Sequence, residues 1–152
     1  MTPAINLLEQ QGIQFQILKF EHDPSQHNFA NEAAEKLGLL TEQVFKTLLV
    51  DVDGVLHVAI LPATRQVDLK AFAKACKGKK AMMADAKKAQ TTTGYLIGGI
   101  SPFAQKKRLN TLLHNDAKKF TTIYVSAGKR GLEVEVAPED LSRLCNARFA
   151  QF

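Results

Sequence analysis

Apolar residues along the 152-residue chain recur in two rhythms. Alternation in "IQFQILKF", "VFKTLLVDV" and "VLHVAIL" predicts strands over 13–20, 44–52 and 55–61. Asp53-Gly54 between the last two marks a tight hairpin. A second hairpin is predicted from strands 120–126 and 131–137 across a glycine-rich turn, and shorter strands from "KKAMMA" (79–84) and "LNTLLHN" (109–115). Helix signals fall between them. Thr2-Pro3 opens a helix over 3–11 that Gly12 stops, and Gly38 closes a short one in "ANEAAEKLG". Asp68 caps 69–76, Asp85 opens another short helix, and Pro138 begins a last one, "PEDLSRLC". "EHDPSQHNF" reads as a polar loop and "TTTGYLIGGISPFAQKK" as irregular. Six or so strands with helices interspersed predict an α+β fold around a mostly antiparallel, barrel-like sheet flanked by helices. No linker, repeat or low-complexity tract divides the chain, so 1–152 is expected to form one domain.

One residue breaks the second strand's pattern. Lys46 stands inside "VFKTLLV", where Lys46, Leu48 and Val50 share one face and Phe45, Thr47 and Leu49 the other. Both faces are apolar, so both are expected to be covered. An unpaired ammonium group there costs several kcal/mol. Lys46 must therefore reach water at the strand's end, meet a carboxylate, or border a cavity that holds something negative or polarised.

Composition narrows the class. Hydrophobic content of 45% and charged content of 23% are those of a globular protein, and no apolar run approaches membrane-spanning length. The N-terminus lacks the basic region of a signal peptide, and Cys76 and Cys145 lie far apart in helix-like segments, so a reducing cytoplasm is the expected compartment. The formal charge of +5 is concentrated in "KGKK", "KK", "KKR", "KK" and "KR" clusters at turns and element ends. Each cluster alone fits a solvated loop, whereas five together fit a phosphate-rich partner.

Several site types are excluded. His22, His27, His57 and His114 lack metal-ligand spacing, neither cysteine has a CxxC partner, and no phosphate-binding glycine loop occurs. Ser101 in "GGISPF" is followed by Pro102, so it is not a nucleophile elbow. The glycine pair Gly98-Gly99 lies between Ile97 and Ile100. It fits either a tight corner of the sheet or a stretch of bare amides for a carbonyl oxygen or anion. Glu133 and Glu135 share a strand face, either solvated or, at Glu133, aimed at a ligand's amino group.

"EHDP" (21–24), "EAAEKLG" (32–38), "FKTLLV" (45–50), "TGYLIGGISPFAQKKR" (93–108) and "IYVSAGKRGLEVEVAPEDL" (123–141) occur in one order at one set of spacings. In this the chain resembles the YbaK-type aminoacyl-tRNA deacylases, relatives of the editing domain inserted in some prolyl-tRNA synthetases. The resemblance implies a trans-editing enzyme for mischarged Cys-tRNA(Pro), with Ala-tRNA(Pro) or another small mischarged amino acid as the alternative substrate. A non-catalytic tRNA-binding module docked on a synthetase is the rival from another class. Implied partners are tRNA(Pro) and prolyl-tRNA synthetase; no cofactor, metal or membrane is implied. Lys46, Gly98 and Gly99 are the implied catalytic positions, with Lys46 orienting the 3′-terminal nucleotide and the glycine backbone polarising the ester carbonyl. Phe20, Thr47, Ile100, Ser101, Ser126 and Glu133 are the implied substrate contacts. The implied attacking group is the substrate's own thiol. The chain departs from the family pattern at Phe20, where many members carry tyrosine, and at Ala127, which replaces a glycine of the hairpin turn.

Overall fold

The computed structural model describes residues 1–152. Helix α1 (Pro3–Gln10) starts where Thr2 Oγ1 accepts the Ile5 N–H at 3.1 Å. It leads to β1 (Phe15–Lys19), a polar loop and α2 (Phe29–Leu37). The long strands β2 (Phe45–Val52) and β3 (Val55–Pro62) form the expected hairpin, paired from Phe45–Pro62 to Val52–Val55. Helix α3 (Leu69–Ala75) follows, capped by Asp68. Next come β4 (Ala81–Met83) and α4 (Ala86–Thr93), capped by Asp85. After a long loop come β5 (Thr111–His114), β6 (Ile123–Lys129) and β7 (Leu132–Val136), then α5 (Pro138–Cys145) and β8 (Ala147–Ala150).

The strands form two sheets, not one closed barrel. One is antiparallel in the order β1-β7-β6, and the other runs β4-β2-β3-β5-β8. β5 arrives after a long excursion through α3, β4 and α4, which returns it parallel to β3, and β8 follows α5 parallel to β5. A single bridge, Val44–Tyr124, ties the sheets together.

Three local readings shift. The threonines at 91–93 belong to α4, where the Thr91 and Thr93 hydroxyls donate to the carbonyls of Lys87 and Ala89 one turn back. The strand expected from 120 begins at Ile123 and runs to Lys129 across a bulge between Ser126 and Lys129. β8 is not visible in the alternation pattern, being four residues after Asn146, which turns the chain at φ 50°.

β2 is covered on both faces. Phe45 and Leu49 join the larger core between the sheets, while Val50 and Val52 pack with Phe72 of α3 and the C-terminal Phe152. Its outer edge is only half occupied. β4 pairs with 50–52, and the Ala84 N–H reaches the Leu49 carbonyl at 3.0 Å. Along 45–48 no strand lies beside that edge, and a cavity opens there.

Candidate active site

The cavity has a volume of about 270 Å³ at the seam between the sheets. Its walls are residues 45–49 of β2, the start of α2, Ala86 and Ala89 of α4, the loop at 97–100, and Ser126 and Glu133 on β6 and β7. Seven of the nine predicted site residues line it: Lys46, Gly98, Phe20, Thr47, Ile100, Ser126 and Glu133. Gly99 and Ser101 do not. Ser101 is fully buried, with Oγ accepting the Phe103 N–H and the carbonyl accepting Gln105 Nε2. Its role is to shape the loop.

Of the three ways out for Lys46, the carboxylate partner is absent and the residue borders a cavity. The side chain is half-buried, forms no ion pair, and lines the hollow. Burial pushes its ammonium pKa down.

The two glycines have different tasks. Gly98 has φ +86°, and a Cβ there would lie 2.5 Å from the Phe29 ring. Its N–H makes no hydrogen bond within the chain, and the residue borders the cavity. Gly99 N–H is already donated to the Leu96 carbonyl at 2.9 Å, and its missing Cβ would sit 2.9 Å from Lys129 Cα. Gly99 therefore lets the loop close against the hairpin turn. The expected pair of bare amides is a single one.

Glu133 is 8% exposed, with no hydrogen bond or ion pair, and burial raises its pKa to about 8. It sits across from Ser126 on one side and Leu18 on the other. Ser126 Oγ accepts the Gly128 N–H at 3.2 Å. Thr47 Oγ1 is buried without any partner, and Thr47 also lines the cavity. An orphaned buried hydroxyl costs about 1–3 kcal/mol. Ala127, at the departure from the family turn, is buried in the main core and accepts the Thr2 hydroxyl at 2.6 Å.

Residues outside the predicted set complete the walls. Glu32 binds His22 Nδ1 at 2.6 Å, the Asp23 N–H at 2.8 Å and Lys36 at 3.1 Å. Burial pushes its carboxyl up, but the Asp23 amide, His22 and Lys36 outweigh that and hold it below the usual range. "EHDP" and "EAAEKLG" are thus two halves of one lock. Arg130 donates Nε to the Ile97 carbonyl at 2.8 Å and lies 5.0 Å from the Phe29 ring centre, tying the hairpin turn to the Gly98 loop. Periodicity carries no signal for either contact. No group of three His, Cys, Asp or Glu side chains converges as a metal site. Neither cysteine lines the cavity; burial raises Cys76 and pushes Cys145 up to about 12. Beside the Glu32–His22 pair, His27 and Arg130, the cavity therefore offers the Lys46 ammonium, the Gly98 amide, the Thr47 hydroxyl and the Glu133 carboxyl, whose pKa burial raises, with no thiol of the protein's own.

Known proteins share this chain's sequence pattern and fold. Residues 24–144 match the family described as the aminoacyl-tRNA editing domain. An Enterococcus faecalis protein named, provisionally, Cys-tRNA(Pro)/Cys-tRNA(Cys) deacylase EbsC is 38% identical over 152 residues, covering 99% of this chain and 92% of that protein. A crystal structure described provisionally as a trans-editing enzyme for prolyl tRNA synthetase superposes with a TM-score of 0.84 at 21% identity, covering 99% of this chain and 96% of that one. The hypothetical protein APE2540 superposes at 0.87 with 19% identity, covering 98% and 97%. The two structures carry the fold; the matched family and the 38% relative carry the descent. The chain belongs to the aminoacyl-tRNA editing domain family.

Proposed function

We propose that this protein deacylates cysteine esterified to tRNA, with Cys-tRNA(Pro) as substrate, and that residues 1–152 act as one editing domain. The observation that carries the reading is Lys46: an ammonium group without a counter-charge in a cavity that also holds the free Gly98 amide. An anion from the 3′-terminal nucleotide beside Lys46 would orient the ester, and the Gly98 N–H would donate to its carbonyl oxygen. Glu133 would receive the substrate's α-ammonium group. With no protein thiol or activated hydroxyl in the cavity, the substrate supplies the nucleophile. Its thiolate forms the S–C bond, the C–O bond to the ribose breaks, and the departing oxygen takes a proton. Water then opens the cyclic thioester to free cysteine. Gly99 contributes by packing and not by donating to the carbonyl.

The relative named for Cys-tRNA(Pro) and Cys-tRNA(Cys) supports a reading in which the cysteinyl ester, common to both, is the feature recognised. A proline-sized pocket discriminates against cysteine by only about 1–3 kcal/mol, so a second site that destroys the wrong ester has a clear purpose. Selection of tRNA(Pro) in this reading comes from association with prolyl-tRNA synthetase. The unpaired thiols of Cys76 and Cys145 support a reducing cytoplasm.

The test is single-turnover deacylation of tRNA(Pro) charged with Cys, Ser, Ala or Pro, by wild type and Lys46→Ala. The expected result is rapid loss of the Cys ester alone, abolished in the variant. Equal turnover of Ser and Cys esters would replace the substrate thiol with water as nucleophile. A folded protein that binds all four esters and cleaves none would be a tRNA-binding module instead.

A further inference from the structure

The chain's positive charge is strongly segregated. Residues 69–114 hold ten of the twenty Lys and Arg but only one of the fifteen Asp and Glu, Asp85. The rest of the chain holds ten cations and fourteen acids and is net negative. All ten cations in the segment are exposed, and none forms an ion pair. Elsewhere Lys36, Arg65, Lys119 and Arg143 are each neutralised by Glu32, Asp116 or Asp140.

The fold gathers these charges beside the cavity. Lys79 and Lys80 immediately precede the edge strand β4, and Lys87 and Lys88 occupy the first turn of α4. Lys106 and Lys107 are bound to the far end of the same helix, their N–H groups donating to the carbonyls of Thr93 and Thr92 at 2.8 and 3.1 Å. α4 is about 12 Å long. Ala86 and Ala89 on its inner side line the cavity. Between the lysine groups, Met82 and Met83 are 54% and 45% exposed, and Met83 also lines the cavity. Unpaired like charges on one surface repel each other and focus a field that attracts a polyanion. The aromatic residues of the segment, Phe72, Tyr95 and Phe103, are all buried. The face therefore has no platform on which bases could stack, as single-strand binding would need. It is suited to the phosphates of a duplex.

We propose that the β4–α4 flank is the docking face for the phosphate backbone of the tRNA acceptor stem, contacted by Lys79, Lys80, Lys87, Lys88, Lys106 and Lys107. The single-stranded 3′ end then passes over Met83 into the cavity. This rests on the reading of the cavity as an aminoacyl-ester site, and adds where the rest of the substrate lies.

The test uses Lys87→Gln, Lys88→Gln, Lys106→Gln and Lys107→Gln combined, with the two adjacent pairs made separately. Binding of uncharged tRNA is read by fluorescence anisotropy from low to physiological salt. The combined variant should bind at least about tenfold more weakly, and the slope of log Kd against log salt should shrink by about one per contacting lysine. Each pair should give part of the effect. Lys118→Gln with Lys119→Gln, on the 3-10 turn after β5, should bind as wild type. Hydrolysis of a short cysteinyl oligonucleotide ending in CCA separates the two readings, because it has no stem. The combined variant's loss on full-length Cys-tRNA should exceed its loss on the short ester by about tenfold or more. Wild type that binds tRNA through these lysines yet cleaves neither ester would refute the deacylase reading and leave the docking face standing. A folded combined variant with wild-type affinity and salt slope would overturn the docking face.

Discussion

Replacing Glu133 by glutamine tests whether the cavity holds its carboxyl in the protonated state. Glu133 is buried and unpaired, and its pKa is raised from an ordinary 4.5 to about 8 by burial. Between those values the folded protein holds a proton that the unfolded chain has released. Wild-type stability from this group is therefore full below pH 4.5 and is lost as pH rises towards and through 8. Each pH unit inside the window is worth about 1.4 kcal/mol. From pH 5 to pH 8 the integrated loss is roughly 3–4 kcal/mol, after allowing for partial titration at both ends. Glutamine keeps the shape and cannot ionise. Urea unfolding of both proteins across this range isolates the group, because titrations common to both cancel in the difference. The stability of Glu133→Gln relative to wild type should climb by that amount from pH 5 to pH 8. A difference that stays flat with pH would mean that Glu133 titrates alike in the folded and unfolded chain, and the reading that burial holds its carboxyl protonated would fail.

Three further substitutions probe the same cavity. Lys46→Met keeps the aliphatic stem and removes a charge that burial disfavours; single-turnover assays should show deacylation lost, while the urea midpoint is equal to or higher than wild type. Thr47→Val replaces the orphaned Oγ1 with a methyl group, so the free protein should gain about 1 kcal/mol while the deacylation rate falls. Gly98→Ala meets both a left-handed φ, costing about 1–2 kcal/mol, and the Phe29 ring. In a double-mutant cycle, prior Phe29→Ala should remove the steric part and leave the backbone part, giving a coupling of about 1 kcal/mol or more. Additive effects would place the ring clash elsewhere.

The hairpins, the capped helices and the anomaly at Lys46 were legible because each rests on neighbours in sequence. Asp53-Gly54 sets the β2–β3 register by itself, and Asp68 and Asp85 cap the helices they immediately precede. The parallel placement of β5 and β8 was not legible, since alternation says that a segment is a strand but not which edge it joins. Gly99 illustrates a second limit. Its residue type correctly marked a close approach, but only coordinates show that its amide is taken by Leu96 and that the approaching group is the 129–130 backbone. Glu32 illustrates a third. It sits on α2 like any helix-surface acid, and its link to His22 and Asp23 exists only once the preceding loop folds back over the helix.

Two of the cavity's ionisable groups, Lys46 and Glu133, both have their charged forms disfavoured by burial, and neither relieves the other. Lys46 and Glu133 belong to different sheets, form no ion pair, and are each disfavoured as ions by burial. Moving them into contact would cancel both penalties, and would also leave nothing for a ligand to gain. On the proposed reading they would together suit a guest that brings an anion to Lys46 and an ammonium to Glu133, because such a guest stabilises both charged forms at once. By linkage, binding must raise the Lys46 pKa and lower that of Glu133. An aminoacyl ester at the end of a nucleotide has that distribution: phosphate on one side, free α-ammonium on the other, and the scissile carbonyl between them. The half-empty edge of β2 opens the cavity at the seam between the sheets, and Lys46 and Glu133 both line it. On the proposed deacylase reading, the same open edge that leaves the sheet incomplete is where a substrate charged at both ends would enter.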